Sequence, residues 1–255
     1  MAWAKLLSNP WVWGGVGLLV LARSKNFNIS PNASPNAKPP PTPTTGAGCG
    51  YPAVNLPPAP AKTVAELQNR VWRTILDYNG KINDTANAMG FVPDAIGKTY
   101  AKYLAEYLVE SALKNKVPLD LLVALARAES AFVPTVTTGR YEAIGWTDEA
   151  IRKAVQNQWV IGPLQVKPNV FTEVGLASPA RWLGDPVRWK HSARLRDAVE
   201  AGTRYLAKQR NRFGTWCAAL HAYNVGPAAY QHGRRNNAYA EKIIRWANEY
   251  TELRT

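Results

Sequence analysis

The chain is predicted to be mainly α. Apolar residues recur at three- and four-residue spacing from Thr63 almost to the C-terminus. Helix-start residues precede several of these runs. No strand-like alternation and no internal repeat interrupts them. The 255 residues are 46% hydrophobic and 19% charged, enough for one sizeable packed domain with additional segments.

The first segment, 1–22, is apolar, with an unbroken run from Trp11 to Ala22. That run is short of the roughly 20 residues needed to span a bilayer. Counted from Trp3, with Lys5 snorkelling to the interface, the length suffices. A cleavable signal peptide competes with this reading, but Arg23-Ser24-Lys25-Asn26 is a poor cleavage site. An uncleaved hydrophobic anchor helix is therefore expected, its orientation left open by balanced flanking charges. Residues 23–62 are rich in Pro, Ala, Asn, Thr and Gly, including Pro39-Pro40-Pro41. They are read as a flexible, extended tether.

The working domain is expected over 63–255. Its first helix carries Leu67, Val71 and Ile75 on one stripe, widened by Trp72 and Leu76, and Thr63 and Glu66 stand at capping-box spacing. A second helix is predicted from about Asp94 to Lys116, with Ile96, Tyr100, Leu104 and Leu108 on one side. A third begins at Pro118, which suits a first helical position, and runs through Leu119, Leu121, Leu122, Val123 and Leu125 to Glu129. Others are predicted near 147–158, 194–213, 214–224 and 236–253.

The formal net charge of +13 predicts attraction to a polyanion without choosing one. Basic residues concentrate between Arg188 and Arg212; a solvated helix face is the default for such a run, an anionic-substrate face the alternative. The two cysteines, Cys49 and Cys217, form no framework, and Cys217 is read as a small buried hydrophobe. His191, His221 and His232 show no metal-ligand spacing and are read as structural or surface residues. No metal and no cofactor are expected.

Glu129 ends a helix that is otherwise nearly all apolar. A carboxyl group held against apolar packing has its charged form disfavoured, as a general acid working near neutral pH requires. Its string is Ala128-Glu129-Ser130-Ala131-Phe132-Val133-Pro134. Farther on come Ile161-Gly162-Pro163-Leu164-Gln165-Val166, then Ala219-Leu220-His221-Ala222-Tyr223-Asn224-Val225-Gly226-Pro227, then Tyr239-Ala240-Glu241-Lys242-Ile243. Glu110-Ser111 shares the acid pair but lacks the following Phe-x-Pro and is read as surface.

These four strings, in this order over roughly residues 118–246, resemble the soluble lytic transglycosylase family of lysozyme-like enzymes. The resemblance implies a lysozyme-like helical domain with Glu129 as the acid/base. It implies that Ser130 supports the turn after the helix, and that Thr138 stands where the family usually has a substrate-contacting Ser. Gln165, Tyr223, Asn224 and Tyr239 would line the sugar site. The partner it implies is the glycan strand of peptidoglycan. In the implied reaction Glu129 protonates the glycosidic oxygen, then takes the proton from the C6 hydroxyl of the same sugar. That hydroxyl attacks the anomeric carbon, and a 1,6-anhydromuramic product forms without water.

Two departures stand out. Gly139–Val160 is longer than the family's connection and is read as a lid or adhesion surface, and Pro163 and Lys167 replace apolar residues. Most glycosidases use two carboxylates. If Glu142 or Asp148 of the extra segment crossed the site, with Glu149 beside them, water could attack instead and the enzyme would be a muramidase. A non-catalytic glycan-binding module and a structural membrane protein are the readings from other classes; no specific nucleic acid is expected. An anchor, a tether and a wall-cutting domain suit a membrane-anchored enzyme of the bacterial envelope. They suit equally a phage particle protein that opens the wall locally, the setting favoured by the compact chain.

Overall fold

A computed structural model describes residues 51, 62–78, 97–185 and 191–254. The expected anchor over 1–22, nearly all of the linker, Cys49, the start of the second predicted helix and the start of the basic run at Arg188 lie outside the described residues. Among the described residues no helix is long and apolar enough to cross a membrane.

The architecture is mainly helical. Its helices are α1 (Val64–Tyr78), α2 (Gly97–Asn115), α3 (Leu119–Ser130), α4 (Asp148–Asn157), α5 (Pro168–Glu173), α6 (Arg181–Gly184), α7 (His191–Phe213), α8 (Trp216–Val225), α9 (Pro227–Gln231) and α10 (Asn237–Glu249). A closing 3-10 turn spans Thr251–Leu253. One small antiparallel ladder, which the sequence did not suggest, pairs β1 (Val136–Thr137) with β2 (Val160–Ile161). Two-residue strands carry too few side chains for a period-2 pattern to register.

The helices begin where short-range chemistry allows. Thr63 and Glu66 form the reciprocal capping box, with Thr63 N–H donating to Glu66 Oε2 at 2.7 Å and Glu66 N–H to Thr63 Oγ1 at 3.2 Å. Thr147, Thr215 and Asn236 accept the N3 amides of α4, α8 and α10.

At the centre lies α3. Every residue from Leu119 to Ala126 is buried. It packs between α2 and α10, so its whole circumference is covered and it needs no polar face. Its one buried acid, Asp120, accepts from Tyr51 Oη at 2.8 Å and Arg254 Nε at 2.7 Å. Those contacts tie a residue of the Pro-rich segment and the C-terminal strap to the first turn of α3. Burial and the Asp120 charge push the Tyr51 phenol well above its ordinary value.

The extra segment is no loose lid. Its α4 buries Ala150, Ile151 and Ala154 beside the β1–β2 ladder. Its first residue, Asp148, meets Arg194 at 2.5 Å. Arg194 also donates to the carbonyl of Trp182 at 3.1 Å. The basic run is likewise not one uniform face: Arg204 pairs with Glu200 at 2.7 Å and Lys208 with Glu173 at 3.1 Å. Cys217, read from sequence as a small buried hydrophobe, is half-buried and disulfide-bonded.

Glu200, on α7, meets Ser111, Lys114 and Arg204 at 2.7, 2.9 and 2.7 Å. Burial opposes its ionisation, but these hydrogen bonds and charges outweigh burial and hold the carboxyl below its ordinary 4.5. A lowered folded-state value adds stability above the unfolded value, and that stability is lost as pH falls through the folded one. Glu200→Gln is therefore expected to lower the thermal midpoint at neutral pH. The gap to wild type should close progressively below pH 4.5, as followed by circular dichroism.

Candidate active site

Glu129 sits in the last turn of α3, half-buried, where the helix emerges from the core. The chain leaves that helix through two consecutive non-glycine residues in the left-handed region, Ala131 (φ 53°) and Phe132 (φ 66°). Such a turn is costly and persists only when it is held from several sides. Here Ala131 N–H donates to Arg127 O at 3.0 Å and Phe132 N–H to Ala126 O at 3.3 Å, the reach-back pattern of a helix C-cap. The Phe132 ring is fully buried against Tyr78, edge to face at 5.6 Å. The Phe132 carbonyl accepts from Tyr100 Oη.

Two residues before Glu129, the Arg127 guanidinium lies over the rings of Tyr78 at 4.2 Å and Trp246 at 4.0 Å. Its Nη1 also donates to Tyr250 Oη at 2.8 Å. These cation–π contacts join α1 and α10 to the Glu129 end of α3.

From α10, the Tyr239 hydroxyl donates to Glu129 Oε1. Tyr239 is itself buried, so the phenol reaches the carboxylate from a fixed base. This contact holds the acid in one orientation.

Three of the other predicted residues, Ser130, Gln165 and Tyr223, converge on the loop between β2 and α5. Three successive carbonyls there are each held by a side chain. Gln165 Nε2 donates to Gly162 O at 2.7 Å, Ser130 Oγ to Pro163 O at 2.8 Å, and Tyr223 Oη to Leu164 O at 2.6 Å. Gln165 Nε2 also reaches Thr135 O at 3.2 Å. Gln165 is buried and its amide nitrogen is turned onto backbone, so here it braces the loop. Underneath, Leu164 presses onto Gly202 of α7, where an added Cβ would lie 2.5 Å from the Leu164 Cβ. Gly162 has φ 81°, and a Cβ there would meet Ala198 at 2.7 Å.

Asn224, buried at the end of α8, accepts at Oδ1 from Asn236 Nδ2 at 2.9 Å. Thr138 stands apart from these bonds. Its hydroxyl accepts from the backbone N–H of Arg140 and Glu142, both at 3.2 Å, and so shapes the turn that opens the extra segment. Sequence reasoning passed over Asn236 and Arg127. Asn236 had a readable signal, a capping residue three positions before Tyr239. Arg127 had none, because its aromatic partners come from distant parts of the chain.

A transglycosylase SLT domain matches residues 106–245, more than half of the chain, and takes in Glu129, Ser130, Thr138, Gln165, Tyr223, Asn224 and Tyr239. The chain belongs to the transglycosylase SLT domain family. No curated protein matches it by sequence. Among solved structures it is similar to the 70 kDa soluble lytic transglycosylase of Escherichia coli, with 18% identity and a TM-score of 0.40. That similarity covers 77% of this chain and 33% of the other, so the chain spans about a third of the length of that enzyme.

Two variants separate the roles within this transglycosylase domain. Tyr239→Phe keeps the ring and removes only the donor to Glu129, so it should leave the melting temperature nearly unchanged. It should lower kcat on peptidoglycan roughly 10- to 100-fold, the scale of one hydrogen bond to a charged group. Gly202→Ala should instead displace Leu164 and cost about 1–3 kcal/mol of stability, read by denaturant titration.

Proposed function

We propose that this chain cleaves the glycan strands of peptidoglycan between N-acetylmuramic acid and N-acetylglucosamine, with Glu129 as the only acid/base. The observation that carries the reading is the Glu129 carboxyl group, half-buried at the end of the core helix and held by the Tyr239 hydroxyl. Membership of the transglycosylase SLT domain family supports the substrate and reaction class.

The protonated Glu129 gives its proton to the glycosidic oxygen as the bond from the anomeric carbon breaks. The N-acetyl group of the same sugar stabilises the cationic centre. Glu129, now a carboxylate, takes the C6 hydroxyl proton while that oxygen bonds to the anomeric carbon. The acid is regenerated, a 1,6-anhydro sugar leaves, and no water is consumed. Both reacting groups belong to one bound sugar, which supplies proximity without a protein nucleophile.

The acids that hydrolysis would call on support this single-carboxylate route. Asp148 is paired with Arg194, Glu149 with Arg152 and with Lys153 at 3.4 Å, and Glu142 is exposed on its turn. For the setting, we read residues 1–22 as an uncleaved membrane anchor and 23–62 as a tether that lets the domain reach the wall. This organisation suits a particle-borne enzyme of a membrane-containing phage, which detection of the protein in purified particles would test.

Mass spectrometry of the sugars that the full chain releases from purified peptidoglycan tests the chemistry. Fragments ending in 1,6-anhydromuramic acid are expected. Glu129→Gln should lower their release by about 10²–10⁴-fold, the usual contribution of a general acid, with the fold intact. Reducing-end fragments, heavier by a water, would mean hydrolysis, and undiminished release by Glu129→Gln would remove Glu129 from the mechanism.

A further inference from the structure

The hydrogen bonds that hold Glu129 continue past Tyr239. The Tyr239 backbone N–H donates to Asn236 Oδ1 at 3.2 Å, which makes Asn236 the N-cap of α10. The Asn236 side-chain amide donates to Asn224 Oδ1, and its own backbone N–H donates to His221 Nδ1 at 3.2 Å. His221 is 6% exposed and lies one turn before Asn224 on α8. Its ring stacks on Tyr230 of α9 at 6.0 Å. A ring nitrogen that accepts a hydrogen bond carries no proton, so His221 is neutral in this arrangement. Burial and the Arg235 guanidinium hold it below its ordinary 6.5, with Glu241 of α10 acting weakly the other way. From this one acceptor, bonds run through Asn236 to Asn224 on one side and, through the cap of α10, to Tyr239 and Glu129 on the other.

We propose that His221 is a positioning residue for the reaction: as a neutral acceptor it locks Asn236, and through it sets Asn224 and the Tyr239 hydroxyl against Glu129. The proposal rests on the reading of Glu129 as the acid/base. Protonation of Nδ1 would place a donor against the Asn236 N–H, and a positive charge beside the positive end of the α10 dipole. Asn236 would then have to move, and the cap of α10 with it. The acid limb of kcat therefore belongs to His221. Glu129 must itself hold a proton to begin the cycle.

The test is kcat and KM of the full chain on purified peptidoglycan between about pH 4 and pH 8, for wild type, His221→Asn and His221→Leu. The amide oxygen of Asn can replace Nδ1 as an acceptor without titrating. Wild type should lose kcat as pH falls through a value below 6.5. His221→Asn should keep kcat within about threefold at pH 7 and lack that fall, and His221→Leu should lose roughly tenfold in kcat at every pH with little change in KM. The role is overturned by an unchanged acid inflection in His221→Asn, or by wild-type kcat in His221→Leu. A second readout needs no activity: the Asn236 amide resonance should shift with titration of the His221 ring. If the chain releases no fragments, the reading of Glu129 fails, but this titration still decides the role of His221. An Asn236 amide that ignores the ring overturns it.

Discussion

A carboxyl group at a helix end keeps one position and orientation only if its helix stays still. The burial of α3 supplies that stillness. Leu119 to Ala126 are covered on all sides, and a helix enclosed by neighbours has no solvated face along which to slide or tilt. Everything else in the site is arranged around the point where this helix surfaces. Asp120 pins its first turn through Tyr51 and Arg254, and Arg127 pins its last turn between Tyr78 and Trp246.

With α3 fixed, the remaining motif residues divide into two groups. Tyr239 touches the acid itself. Ser130, Gln165 and Tyr223 instead hold three successive carbonyls of the 162–164 loop. Gly162 O is held twice, because the Gln165 backbone N–H also donates to it at 3.1 Å, and buried carbonyls of this kind need such partners. Three strings far apart in sequence thus meet on one short piece of backbone. The close approach of Leu164 to Gly202, and of Gly162 to Ala198, leaves that loop no alternative seat. Pro163 fits this geometry because the loop uses its carbonyl and asks nothing of its missing N–H.

The extra segment and the basic run show how charge is used structurally. Arg194 is 3% exposed and is held by Asp148 and the Trp182 carbonyl, so it joins α4 to α7 and is not offered to a polyanion. An ion pair with one partner this buried is costly to break. It makes the segment from Gly139 to Val160 a packed part of the domain.

The amino-acid sequence by itself determined the mainly helical class, the capping box at Thr63, the start of α3 near Pro118, and the position of Glu129 at its end. Those features depend on residues within one or two helical turns of each other, and 3.6-residue periodicity and capping chemistry are local. It also singled out the strings that carry Glu129, Gln165, Tyr223 and Tyr239, but not their partners within the fold. Only the tertiary structure decided that the Gln165 amide nitrogen lies on backbone carbonyls, that the Thr138 hydroxyl accepts from its own turn, the cage around Arg127, the disulfide state of Cys217 and the line from His221 to Glu129. Each depends on where a side chain from one helix meets a carbonyl, ring or thiol from another, and that distance is not encoded in any local pattern.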